Sequence, residues 1–165
     1  MKKLIFIFIF IPSILFAASM KAIGVKGNAA NVDRVVTVLM YDNYYEPNLI
    51  KVKKNETIKF LVHNKGELVH EFNIATKEMH LKHQPEMMKM VENEILLVDK
   101  IDKQKMKEMS KKNPAMAHSH SNSVLLSPGE KAQIIWKFSN SVDIEAACNV
   151  PGHYDVGMIA KIDNM

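Results

Sequence analysis

The chain holds one cysteine, Cys148, in 165 residues. A lone thiol cannot close an internal disulfide, so a cross-linked secreted scaffold is excluded and this residue needs another purpose. After residue 16 there is no apolar run long enough to cross a bilayer, which takes about 20 residues. Basic residues number 22 and acidic residues 18, interspersed along the chain, so the basic stripe that nucleic-acid binding requires is missing. Internal repeats and Gly/Ser linkers are missing as well. With hydrophobic content at 47%, one domain around one ordinary core is expected.

What is present starts with Met1-Lys2-Lys3, an apolar run from Leu4 to Phe16, and the small residues Ala17, Ala18 and Ser19. This is the pattern of a secretory signal peptide over residues 1–19, leaving a domain over 20–165. The run is too short for a permanent membrane helix, so no stable membrane insertion is expected after cleavage. The Lys-rich start points to a bacterial periplasm. Lys2 and Lys3 would leave with the signal, taking part of the formal charge of +4 with them.

From Met20 onward short alternating runs lie between turn residues, which predicts strands over 34–40, 49–52, 57–62, 70–74, 132–138, 143–148 and 158–162. Ser127-Pro128-Gly129 suits a type II turn. Seven or so strands with no recurring helix predict an antiparallel β-sandwich. Residues 76–120 break the pattern: they are rich in Met, Lys and His and read as an insertion, with short helices expected over 86–94 and 101–109. His70 has the parity of Phe72 and Ile74 and should face inward, with Glu71 and Asn73 on the opposite face.

The informative stretch is Cys148-x4-His153-x4-Met158, at the end of a predicted strand. A thiolate and two imidazoles with a weak thioether select copper, because soft sulfur holds Cu(I) while imidazole suits both oxidation states. Pro151, Gly152 and Gly157 let such a loop fold back on one ion. The array lacks one imidazole, for which the inward-facing His70 is the candidate. A nucleophilic Cys148 with His153 as base is the rival chemistry, but it leaves Met158 without a role and needs an orienting group and an oxyanion hole. His63 lies among polar neighbours on its strand and reads as a surface histidine.

These residues, with Glu46-Pro47 to Val62, Asn64-Lys65-Gly66 and His70-Glu71-Phe72 in that order, resemble the cupredoxins. The likeness is nearest to the periplasmic copper-tolerance group called CopI-like. It rests on His70-Glu71-Phe72, a Met/His insertion, the strand with Trp136, and Ala147 to Met158. The resemblance implies a cupredoxin-like Greek-key β-sandwich, all-β apart from a partly helical insertion, with type 1 copper ligands His70, Cys148, His153 and Met158. Two departures stand out. Glu71 is acidic where many blue-copper proteins have a short polar residue, and Ala22 to Asn31 lacks the histidines that group often carries at its mature N-terminus.

The insertion also offers Met79, His80, His83, Met87, Met88, Met90, Met106, Met109, Met116, His118 and His120. The methionines either pack short helices or, with the imidazoles, bind Cu(I). A second copper site is expected to draw on His80, His83, Met116, His118 and His120. His118-Ser119-His120 is similar to the paired histidines of multicopper oxidases, but one pair does not make a trinuclear cluster. A Cys/His/His/Met site has no open position for substrate, so no enzyme is expected. The expected role is copper handling and tolerance with one-electron chemistry at the metal. A soluble electron carrier docking a redox partner protein is the alternative, and oxidation of Cu(I) itself is a third reading.

Overall fold

The structure, a computed structural model, describes Met20, residues 22–139 and residues 142–165. The expected signal segment lies outside the described residues. Among the described residues ten strands form two five-stranded sheets: β1 (Gly24–Lys26), β2 (Arg34–Tyr41), β3 (Tyr44–Glu46), β4 (Leu49–Val52), β5 (Thr57–Asn64), β6 (His70–Ala75), β7 (Ser123–Leu126), β8 (Lys131–Phe138), β9 (Glu145–Ala147) and β10 (Ile159–Asn164). One sheet runs β1-β8-β5-β2-β3 and the other β4-β10-β9-β6-β7. The sandwich is therefore as expected, but its sheets are mixed. β2 pairs with β5 and β10 with β4 in parallel. The chain crosses from one sheet to the other between β3 and β4 and back before β5, and such crossovers make parallel neighbours.

Apolar side chains alternate along the strands and meet between the sheets. Val38, Phe60, Val62, Phe72, Ile74, Ile134, Trp136 and Phe138 form the main core with Cys148 and Met158. Phe60 stands at its centre, with ring centroids 5.4 Å from Phe72 and 6.2 Å from Phe138. Trp136 Nε1–H donates to the Ile23 carbonyl at 3.2 Å, which ties β1 to β8 across a close approach that admits only Gly24.

β6 is buried at all six positions, on both faces. One face meets the core, and the insertion covers the other. Its first helix, α1 (Lys77–Glu92), begins nine residues before the expected 86–94. The Thr76 side chain accepts from Met79 N at 3.2 Å and caps it. Pro85 sits inside this helix and removes one backbone donor, but His80, Met87 and Met90 lie on one buried stripe whose packing carries the helix through. Glu94, with a left-handed φ of 54°, follows its end. The second helix, α2 (Lys103–Ser110), starts two residues later than expected because Asp102 caps it. Met87, Met90 and Met116 form a small core with Val69, Ile95, Leu96 and Ile101, against which Met106 and Met109 pack. These methionines are packing residues.

Phe60→Ala is expected to lower the unfolding free energy of metal-free protein by about 3–5 kcal/mol in urea denaturation. A loss below about 1 kcal/mol would place the core elsewhere.

Candidate metal centre

β6 starts at His70, fully buried with Val69 beside it. Its ring Nε2 lies 2.8 Å from Asp42 Oδ1. A carboxylate only accepts, so Nε2 carries the hydrogen and a neutral ring leaves the Nδ1 lone pair free. Asp42 is itself held by the backbone N–H groups of Glu67 and Leu68, each 3.2 Å away. The pair fits because residue 66 is glycine: a Cβ there would run into Asp42 Oδ1 and lie 2.9 Å from His70 Nε2.

Cys148 follows β9 and is fully buried. Its Sγ is 3.9 Å from His70 Nδ1 and 3.4 Å from His153 Nδ1, and the two rings stand 5.0 Å apart. The loop that returns His153 is closed by its own backbone: His153 N donates to Val150 O at 2.9 Å and Met158 N to His153 O at 3.0 Å. Gly152 and Gly157 take φ of 88° and 89°, which suits residues without a Cβ. Met158 is buried in the same core as Cys148, and the Cys148 N–H donates to its carbonyl at 3.2 Å.

The electrostatics distinguish a ligand from a nucleophile. Burial pushes the Cys148 thiol up to about 12, so the free group is a neutral thiol at ordinary pH. An inert buried thiol makes a poor nucleophile, whereas a bound cation would hold it as thiolate. Burial also lowers the pKa of His70, against the pull of Asp42, and burial with the neighbouring His70 lowers that of His153. Neutral imidazoles are the form that binds metal. Sγ and two Nδ1 atoms thus converge as a soft thiolate with two borderline nitrogens, a donor set that fits copper.

One step along β6 the side chain turns outward. Glu71 is wholly buried. Its backbone N–H donates to Cys148 Sγ at 3.3 Å, and its carbonyl accepts from Tyr45 OH. Its carboxylate accepts from Asn149 N and Nδ2 at 3.2 and 2.7 Å. The other oxygen, Oε1, lies 2.9 Å from His118 Nε2 and 3.3 Å from His83 Nε2. Burial opposes ionisation of Glu71, but His118 and His83 outweigh it and hold the carboxyl well below its usual range. Burial likewise opposes the charge on His83, yet Glu71 and Glu86 raise its pKa to about 10. The His120 and His83 side chains hold Glu86 down to about 2.

The structure therefore brings His70, Cys148 and His153 together, with Met158 in the adjoining core. Of the five residues expected in a second group, it gathers His83, His118 and His120. His80 faces elsewhere, with Nδ1 3.2 Å from Asn149 Oδ1 and its ring beside Tyr154. Met116 packs in the small apolar core. Sequence reasoning missed Asp42, Asn149 and Glu86. Glu71 stood out as an acid in an unusual place, but its partners were not readable. Asn149, next to Cys148, is the one whose outward parity opposite Glu71 follows from the β6–β9 register of Asn73 with Ala147.

A family model described as a cupredoxin-like domain matches residues 7–107, more than half of the chain. The chain belongs to the cupredoxins. This cupredoxin is 35% identical over 162 residues to the copper-resistant cuproprotein CopI of Pseudomonas aeruginosa, covering 90% of each chain. It is 30% identical to CopI of Rubrivivax gelatinosus over 84% of this chain and 71% of that one. In fold it is similar to reduced auracyanin from Roseiflexus castenholzii, with TM-score 0.56 and 15% identity over 81% and 98% of the two chains. An azurin from Methylomonas sp. strain J is similar with TM-score 0.51 and 16% identity over 81% and 99%.

Glu71→Ala in this cupredoxin would leave two imidazoles and the Asn149 amides without their acceptor. The variant is expected to lose about 3–5 kcal/mol of stability, read by thermal and urea unfolding of metal-free protein. Wild-type stability in the variant would mean that the carboxylate does not join these elements.

Proposed function

We propose that this cupredoxin is an exported, periplasmic copper protein that handles copper in support of tolerance, with one type 1 centre built by His70, Cys148, His153 and Met158. The observation that carries the reading is the convergence of Cys148 Sγ with the Nδ1 atoms of two neutral imidazoles. Bound copper supplies one-electron chemistry there. The chain's own residues do the rest. Asp42 fixes the tautomer and tilt of His70, the Glu71 N–H steadies the sulfur, and the core around Met158 excludes water. The likeness to relatives named as copper-resistant cuproproteins favours copper handling over other uses of the fold. No helix among the described residues is long and apolar enough to cross a membrane.

A copper held by a thiolate, two imidazoles and a thioether has no open position for substrate, so the reading is of a binding protein. An electron carrier is the second reading. It is favoured by His153, which is half-buried between the copper ligand Cys148 and the exposed Asp155 and Val156, and so offers a redox partner an edge.

Cu(II) added to the metal-free protein is expected to give an intense visible thiolate-to-copper absorption. Cys148→Ser should abolish it, and Met158→Leu should shift it while keeping it. A colourless wild-type protein would end the type 1 assignment. Asp42→Asn is expected to weaken copper affinity about 10–100-fold in competition with a chelator, since it removes the charged partner of His70. An unchanged affinity would show that Asp42 does not orient the ligand. A strain lacking the gene should grow poorly on copper. Normal growth, together with loss of reduction of a respiratory acceptor, would favour the electron carrier.

A further inference from the structure

On the outer face of β6 three imidazoles meet. His83 comes from α1, and His118 and His120 from the segment entering β7, with one ring nitrogen of each within 4.8 Å of the others. His83 Nε2 and His118 Nε2 are 3.2 Å apart, and the ring centroids stand 5.1–5.3 Å from one another. A buried network with Glu71 accounts for His83 and His118. It does not account for His120 Nε2 and Glu86 Oε1, which are buried, lack a hydrogen-bond partner among the described residues, and lie 3.6 Å apart. That is close enough for an ion pair but too long for a hydrogen bond, and buried polar atoms left without one are costly. A cation between them would satisfy both.

We propose that His83, His118 and His120, with Glu86, hold a second copper ion as Cu(II), coupled through Glu71 to the Cys148 centre. The donors gathered here are nitrogen and carboxylate oxygen, while Met87, Met90 and Met116 are spent on the small apolar core. Without thioether the set favours Cu(II) over Cu(I), and the Irving–Williams order favours copper over other divalent ions of the row. His118 walls the inner side with its side chain 2% exposed, and His120 at 32% leaves an entry from solvent.

The second site stands on its own residues, and the coupling rests on the type 1 reading of Cys148. Glu71 touches both donor sets: Oε1 meets His83 and His118, Oε2 holds Asn149, and its N–H holds Cys148 Sγ. Cu(II) bound there releases the His83 proton to solvent and still leaves more positive charge beside the first ion, which disfavours Cu(II) relative to Cu(I) at Cys148 and raises its reduction potential.

Titration of the purified protein with Cu(II), followed by metal analysis and electron paramagnetic resonance, tests both parts. The wild type is expected to bind two coppers, one carrying the visible thiolate band and one with the wide hyperfine splitting of an imidazole-bound ion. Cys148→Ser should keep one copper with the wide splitting, which reads the second site whatever Cys148 does. His118→Ala with His120→Ala should lose that signal, keep the visible band, and show a lower midpoint potential at the Cys148 centre. The milder Glu86→Gln should weaken the second copper about tenfold, and decides the matter if the double variant fails to fold. A folded Cys148→Ser protein that binds no copper, or Glu86→Gln with unchanged affinity, overturns the second site. Equal potentials in wild type and double variant overturn the coupling.

Discussion

A carboxylate buried without any exposure is costly unless everything around it answers its charge. Glu71 is answered on both sides: by Asn149 from the loop that carries Cys148, and by His83 and His118 from the insertion. Ser123 and Asn73 complete its surroundings. The insertion is thus part of the domain, bound to the sheet through its charge as well as through its methionines. Remove the carboxylate and three elements lose a common partner.

The two-residue period of a strand gives this joint its reach. His70 points between the sheets toward Cys148, and Glu71 points out beneath α1. In the same way Cys148 belongs to the core and Asn149 to the outer face. Neighbouring residues on paired strands therefore serve opposite faces of one sheet, and the backbone N–H of Glu71 lies against the sulfur while its side chain lies against imidazoles.

Much of the inner site was legible in the sequence. The spacing of Cys148, His153 and Met158 is local, and the parity of His70 with Phe72 and Ile74 follows from alternation alone. The sandwich could be read from the same alternation, although the parallel pairs could not, because they depend on where the chain crosses between sheets. Asp42 was illegible for a similar reason: it lies in a turn 28 residues before His70 and meets it only through folding, at a place kept open by Gly66. The methionines illustrate the limit of composition. Their crowding suggested soft metal ligands, but Met87 and Met90, at helical spacing from His80, form a packing stripe, while Met88 faces solvent. Of the histidines in the insertion, His83, His118 and His120 form a cluster.

The account centres on a copper ion held between the sheets by Cys148, His70 and His153. X-ray diffraction from crystals of the copper-loaded protein, recorded on both sides of the copper absorption edge, addresses it most directly. The account predicts an anomalous peak within bonding distance of Cys148 Sγ and of the Nδ1 atoms of His70 and His153. Copper bound elsewhere, with those three atoms free of it, would contradict the account.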